Sequence, residues 1–476
     1  MLIPLRFKYI KNMTIIGENI YMEPVQETIK GILPKINPTK KDRDKIEKTL
    51  KQFTTLVQHE IDKTKTNPTI EIVGSIAKDT YLKNTLDIDV FLLFDPNVKR
   101  NIIAETTLKI GKKLLKNTEE CYAEHPYIRG IFNDYKLELV PGYLIKDASQ
   151  KISAVDRTPL HTKYIKSHIS EIQKQEIRLF KQFLHGINCY GAEAEIQGFS
   201  GYLCEILIVK YKSFLQLIQN AKNWDSPIHL SLHQESPIDF SDPLVFIDPV
   251  DPERNVASAV SDKTLNRFMK ACDAFLLKPK KTFFFPNPVK PWSLEKIKKY
   301  VTSTEKQYIS IIFSKPDLIS ENLVPQLRKT CKFIKNEATQ NDFIIYDIDF
   351  TIDEKHQFIY IIIQSDRKPL SETYTHIGPP TKLTEHIKKF EEKWKDHPLL
   401  HKEPYENEKR MYVSVKRKHR MLISFLADNL QSYPLSRHIE RKIKKNYFIE
   451  KDEELVKKEL QIFWTMYFDG KDPWER

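Results

Sequence analysis

GSIAKDTYLKNTLDIDVFLLF, residues 74 to 94, is the stretch on which the reading of the whole chain turns. A short β-rich run, Thr69 to Val73, leads into Gly74-Ser75. A polar turn and a helical turn follow, and then an apolar strand begins on Asp87 and Asp89. Side chains two apart on a strand point to one face, so these carboxylates stand side by side. A Gly-Ser turn beside them offers backbone N–H groups to phosphate, and the acids suit a metal-bound triphosphate. Carboxylates that lead straight into Val90-Phe91-Leu92-Leu93-Phe94 cost free energy unless something pairs with them. Taken alone, an Asp-x-Asp is more often a solvated strand edge, and Gly-Ser turns are common.

Working outward, Thr39-Lys40-Lys41-Asp42 reads as a capping box with Asp in the acidic position. Behind it Ile46, Leu50, Phe53, Val57 and Ile61 form the stripe of an amphipathic helix. On the other side, Asp95-Pro96 ends the carboxylate strand, and a helix is expected from about Ile102 to Leu115. A third strand, Tyr135 to Val140, carries Glu138, a third carboxylate. Three strands with amphipathic helices around them make a small α/β domain. Phosphoryl transfer uses two divalent ions: one lowers the pKa of the attacking hydroxyl, the other neutralises the triphosphate. Three carboxylates on adjacent strands suffice for Mg²⁺, which keeps several of its waters.

Further along, Ile177, Phe180 and Leu184 lie on one face of a helix over Glu171–Leu184, with Lys181 near the edge. Tyr202 to Leu217 is apolar nearly all round and predicts one buried central helix. Pro and Asp cluster between Ser226 and Arg254, which predicts a long ordered loop. Lys278 to Pro291, rich in Pro and Phe, reads as a domain boundary. Beyond it, Gln307–Phe313 alternates as a strand, and Phe343–Phe350 with Phe358–Gln364 reads as a β-hairpin around Asp353-Glu354-Lys355. A charged helix, Lys382–Trp394, and a strand, Met411–Val415, precede the basic cluster Lys416–Arg420.

The chain has 476 residues, enough for about three domains. Its 76 Lys and Arg against 64 Asp and Glu give a net charge of +12. That balance favours an acidic partner, nucleic acid first and a membrane surface second, although a lysine-rich genome yields the same composition. The five cysteines are widely spaced without a CxxC pair, which argues against a zinc site or disulfide framework and suits a reducing cytoplasm. No apolar run approaches the ~18 residues that would span a bilayer. The N-terminus, MLIPLRFKYIKNM, lacks the long apolar region of a signal peptide, and Met13 is a second candidate start.

Gly-Ser, a short spacer and Asp-x-Asp in one strand–turn–strand unit resemble the signature of nucleotidyltransferases with a polymerase-β-like palm. The resemblance extends in ordered blocks: GSIAKDTYL at Gly74, YAEHPY at Tyr122, LELVPGY at Leu137, SAVDRTPLHTKY at Ser153 and GFSGYLCE at Gly198. DPVDPERNVASAVS at Asp248, LVPQLRKT at Leu323 and HIGPP at His376 complete the set. Together they resemble the archaeal-type (class I) CCA-adding enzymes, tRNA nucleotidyltransferases.

The resemblance implies an α+β multidomain fold: a nucleotidyltransferase palm over 1–160, a helical neck over 161–277, and a C-terminal α/β tRNA-binding body and tail over 278–476. It implies transfer of CMP, CMP and AMP from CTP and ATP to the 3′ end of tRNA, without a template and with two Mg²⁺ ions. Asp87, Asp89 and Glu138 match the catalytic, metal-binding carboxylates. Gly74, Ser75 and Lys78 fall where the family's turn meets the triphosphate, and His161, Lys181 and Tyr190 match further nucleotide contacts. Arg254, in DPERN, matches the arginine that hydrogen-bonds the incoming base; its rigid fork suits cytosine and adenine acceptors. Without the resemblance, the lysines read as solvated, His161 as a structural histidine, Tyr190 as packing and Arg254 as a salt-bridge partner.

The implied partners are the tRNA 3′ end and acceptor arm with ATP and CTP, no membrane, and a homodimer is allowed. Lys416–Arg420 and Arg328-Lys329 are candidate contacts to the tRNA backbone, against the plainer reading of solvated charge. Three positions depart from the family's usual residues. Glu138 stands for Asp and extends the ligand by about a bond length, ~1.5 Å. Lys78 stands for Arg, and Asp79 for Gly, which sets a negative charge beside the phosphate path. A poly(A)- or oligoadenylate-forming relative and a non-catalytic tRNA-binding protein are the alternatives.

Overall fold

The computed structural model describes residues 23–83, 87–122, 125–233, 235–303 and 305–476. Met1 and Met13, the two candidate starts, and Ala123-Glu124 of the YAEHPY block lie outside the described residues. The chain forms two compact units, Met1–Pro288 with Asp472–Arg476, and Val289–Lys471. The division falls within the Pro- and Phe-rich stretch Lys278–Pro291.

The first unit begins with α1 (residues 23–36) and α2 (Lys40–Ile61). The capping box forms as read: Thr39 Oγ1 accepts from the Asp42 amide at 3.2 Å, and Asp42 Oδ2 accepts from the Thr39 amide at 2.8 Å. Then come β1 (Thr69–Ile72), the single turn α3 (Gly74–Ala77), β2 (Asp87–Phe94) and α4 (Arg100–Leu114). The strands β3 (Lys116–Tyr122), β4 (Pro126–Phe132) and β5 (Tyr135–Tyr143) complete a sheet of order β1-β2-β5-β4-β3. Five strands replace the three expected. Lys116–Tyr122 escaped the reading because an exposed edge strand needs no apolar alternation, and its charges guard that edge.

Only β2 and β5 run parallel in this sheet, with Asp89 opposite Glu138. Ile88, Val90, Leu92 and Phe94 face the helices and join Phe53 and Val57 of α2 and Ile103 and Ile110 of α4 in one core. The other face of β2 carries Phe91 and Leu93, packed with Val73, and then Asp89 and Asp87. One strand therefore anchors the helix layer with its even positions and presents carboxylates with its odd ones.

The site-facing layer is helical: α5 (Arg157–His168), α6 (Glu171–Gly186), α7 (Gly201–Tyr211), α8 (Phe214–Ala221) and α9 (Asp262–Leu277). Phe180, Phe183, Phe199, Phe214, Phe268 and Phe275 are all fully buried among them, each contributing ~1.5–3 kcal/mol relative to exposure. The expected single helix Tyr202–Leu217 is two. Lys212 takes φ 69°, and the Ser213 amide donates to the Tyr211 carbonyl at 2.9 Å, a γ-turn. Ser213 then caps α8 through the Gln216 amide. An apolar run conceals such a break, because both helices bury the same kind of residue. The expected loop Ser226–Arg254 likewise contains a short parallel pair, β6 (Ile228–Leu230) and β7 (Leu244–Phe246), too brief to show a period.

The second unit holds α10 (Leu294–Thr302), β8 (Lys306–Ser314), α11 (Ser320–Gln340), β9 (Ile345–Asp353) and β10 (Phe358–Asp366). β11 (Thr373–Pro380), α12 (Thr384–Trp394), β12 (Leu400–Asn407) and β13 (Arg410–Lys416) follow. α13 (Leu422–Asn429), α14 (Arg437–Lys445), β14 (Phe448–Lys451) and α15 (Gln461–Asp469) end it. One antiparallel sheet, β14-β8-β10-β9, is covered by α11, α13 and α14 on one face and by α10 and α15 on the other. A second sheet, β11-β13-β12, packs on Phe390 and Trp394 of α12.

Candidate active site

Three neighbouring strands place three charged side chains in a row: Asp89 on β2, Glu138 on β5 and Arg129 on β4, each opposite the next. Gly74 closes the end of that row. Its φ is 71°, and a Cβ there would lie 2.1 Å from Asp89 Oδ2, so only glycine lets the turn sit under the carboxylate. Burial, helped by Glu138 and Asp87, pushes the Asp89 carboxyl up to about 7. Among the described residues no side chain pairs with it. A half-buried carboxylate beside two others, without a protein cation of its own, is the donor set a hard divalent ion takes. Asp87, Asp89 and Glu138 thus fit Mg²⁺ by chemistry. Glu138 is partly engaged already: Arg129 Nε and Nη2 both lie 2.7 Å from its Oε1.

The row opens into a cavity of about 790 Å³ lined by Gly74, Ser75, Lys78, Asp87, Asp89, Glu138, His161, Lys181 and Tyr190. Of the predicted site residues only Arg254 is absent from that lining. The two lysines are not solvated. Lys78 and Lys181 are 6% and 2% exposed and share one carboxylate, Glu205 of α7, which is fully buried. Lys78 Nζ lies 2.5 Å from Glu205 Oε2 and Lys181 Nζ 3.1 Å from Oε1, while Thr80 Oγ1 donates to Oε1 at 2.6 Å. Burial raises the Glu205 pKa, but the two ammonium groups and Thr80 outweigh it and hold the carboxyl at about 2. For Lys181 burial wins and lowers its pKa. The cluster sets one carboxylate between two lysines, and Lys78, Lys181 and Glu205 all line the cavity.

A second hub is Asp248, just after β7. Its Oδ2 accepts from His161 Nε2 and from Arg254 Nη1, both at 2.8 Å, and its Oδ1 from the Tyr202 hydroxyl at 3.1 Å and the Val250 amide at 3.1 Å. Despite burial these donors hold Asp248 at about 2, so it is an acceptor and the His161 nitrogen facing it carries the proton. Burial lowers the His161 pKa. Tyr202 stacks on the His161 ring at 3.9 Å. Arg254 is thus the salt-bridge partner of its plainer reading, bound to Asp248 through Nη1, with its side chain partly exposed. Tyr190 stacks on His185 at 4.1 Å at the cavity wall.

Asp79, the departure that set a negative charge near the phosphates, points elsewhere. Its φ is 50°, which explains a glycine preference, and its carboxylate meets Arg178 Nη2 at 2.5 Å and Arg43 Nε at 3.4 Å. Arg178 is 2% exposed and also donates to the Tyr81 carbonyl at 3.0 Å. In the second unit the basic cluster is largely paired: Arg417 with Asp342 at 2.7 Å, Arg420 with Glu372 at 3.1 Å, and Lys418 with Asp428 at 3.6 Å.

Sequence reasoning missed Glu205, Asp248, Tyr202 and Arg129. Glu205 carried a signal: one acid inside the apolar helix GYLCEILIV demands a buried cation. Asp248 and Tyr202 lie inside quoted blocks. Arg129 had no signal before β4 was known to pair with β5.

Three family models match successive parts of the chain: a nucleotidyltransferase domain over 43–161, the second domain of tRNA nucleotidyltransferases over 175–285, and the CCA-adding enzyme C-terminal domain over 305–452. The CCA-adding enzyme of Methanosarcina barkeri is 31% identical over 423 residues, 88% of this chain and 92% of that protein. That of Picrophilus torridus is 37% identical over 341 residues, 72% and 76% of the two chains. That of Archaeoglobus fulgidus is 36% identical over 318 residues, 67% and 72%. Among the described residues no helix is long and apolar enough to cross a membrane. With the carboxylate row, the Gly74 turn and family models matching in order along its length, the chain belongs to the family of CCA-adding enzymes.

Proposed function

We propose that this protein adds CCA to the 3′ end of tRNA from CTP and ATP without a nucleic-acid template. The observation that carries the reading is the row Asp89–Glu138 over the Gly74 turn, opening into the same cavity as Lys78 and Lys181. In each step the terminal 3′-oxygen of the RNA bonds to the α-phosphorus of the nucleotide, the bond to pyrophosphate breaks, and the hydroxyl loses its proton. Asp87, Asp89 and Glu138 would hold two Mg²⁺ ions, which supply an acidified hydroxyl and charge neutralisation on the triphosphate when bound. Ser75 and the Gly74 turn cradle the phosphates, and Lys78 and Lys181, on the same cavity wall, face the triphosphate. Tyr190 and His161 bound the nucleotide's space. Arg254, steadied by Asp248, offers its remaining donors to the base. Five free, buried cysteines suit a reducing cytoplasm.

Asp89→Asn is expected to reduce incorporation of labelled CMP into a tRNA lacking CCA by about a hundred- to a thousandfold, on the scale of losing a transition-state charge partner. Incorporation equal to the parent protein's would sink the reading.

A further inference from the structure

We propose that Arg129 is a positioning residue of the transfer reaction: it occupies one side of the Glu138 carboxylate and holds down the affinity of the third carboxylate for a divalent ion until substrate is present. The inference rests on the function proposed above and deepens it.

The backbone fixes the juxtaposition. Arg129 is opposite Glu138 on β4 and β5, and Glu138 is opposite Asp89 on β5 and β2, so the three side chains share the sheet face that bounds the cavity. Two guanidinium nitrogens converge at 2.7 Å on the same oxygen, Oε1, and among the described residues Oε2 has no partner. One carboxylate oxygen is spent on Arg129 and the other is left for a ligand from outside the chain.

A fixed cation beside a metal ligand opposes a dication in two ways. It repels the ion directly, and it withdraws electron density from the ligand through charge-assisted hydrogen bonds. The pair is not deeply buried, with Arg129 39% and Glu138 21% exposed, so the opposition is moderate and can be overcome. Triphosphate oxygens and an RNA 3′-oxygen would add ligands and negative charge that tip the balance. The chain would thus stay free of tightly held metal while idle and load when substrate arrives.

The test is a Mn²⁺ titration of the full chain without nucleotide or RNA, with free Mn²⁺ read by electron paramagnetic resonance. Arg129→Gln and Arg129→Ala are expected to bind Mn²⁺ about tenfold more tightly than the parent, and the gap should narrow at high salt. Arg129→Lys keeps the charge and should bind within about twofold of the parent. Equal or weaker binding by both charge-removing variants would overturn the proposal, as would Arg129→Lys binding as tightly as Arg129→Gln. Asp89→Asn, which should lose Mn²⁺, reports whether the row is a metal site at all. Which nucleotides the parent adds to RNA is read separately, so a failure of the CCA reading is distinguished from a failure of this one.

Discussion

Glu205 shows how a single side chain can organise two halves of a site. It comes from α7, Lys181 from α6 and Lys78 from the turn before β2, and all three meet away from water. Removing one member of a buried charge set leaves the others uncompensated, which costs about 3–5 kcal/mol. Glu205→Gln should therefore lower the unfolding free energy at pH 7 by about 3 kcal/mol in urea titration. The pH dependence has a definite sign. The folded carboxyl sits at about 2 against an ordinary 4.5, so its stabilisation is full above pH 4.5 and is lost as pH falls through 2. The gap between parent and variant should close over that window; a gap unchanged down to pH 2 would contradict the pairing. Gly74→Ala makes a second residue-scale prediction. A positive φ and a 2.1 Å approach to Asp89 Oδ2 predict a loss of about 1–3 kcal/mol in stability and displacement of Asp89, seen as lost Mn²⁺ binding. The shared face of Asp87 and Asp89 was legible because period-two alternation sets a strand's faces, whereas Glu138 comes beside Asp89 only through the pairing of β2 with β5. The lysine cluster was not legible, since Lys78 and Glu205 are 127 residues apart in sequence.

At the scale of elements, strongly periodic segments were legible and interruptions within them were not. α2 and α6 follow from their apolar stripes, and each begins with a capping box, Thr39–Asp42 as read and Ser170–Gln173, which the reading passed over. The break between α7 and α8 follows from Lys212, whose backbone conformation is costly for any residue with a side chain. Lys212→Gly should raise stability by about 1 kcal/mol despite glycine's larger unfolded-state entropy, because native strain is the larger effect. Thermal unfolding of the two proteins checks this; a lower melting temperature for the variant would mean that the turn is not strained. The strands β3, β6 and β7 were missed for different reasons. β3 is a charged edge, whereas β6 and β7 have three residues each, too few to show a period; β7 is held by Asn255, whose side chain donates to the Leu244 carbonyl and accepts from the Phe246 amide.

For the whole molecule, a net charge of +12 predicts an electrostatic contribution to RNA binding that salt removes. Affinity for a tRNA lacking CCA should fall at least roughly tenfold between 50 and 200 mM salt, with a linear log–log dependence. Binding that ignores salt would exclude a phosphate-contacting surface. CCA addition is tested with a tRNA transcript ending at the discriminator base, incubated with the protein and Mg²⁺. Each labelled nucleotide is supplied alone, and then CTP is supplied with ATP. Two CMP additions, then one AMP, then a stop are expected. Long A-tails, or no incorporation while the tRNA is still bound, would contradict CCA addition.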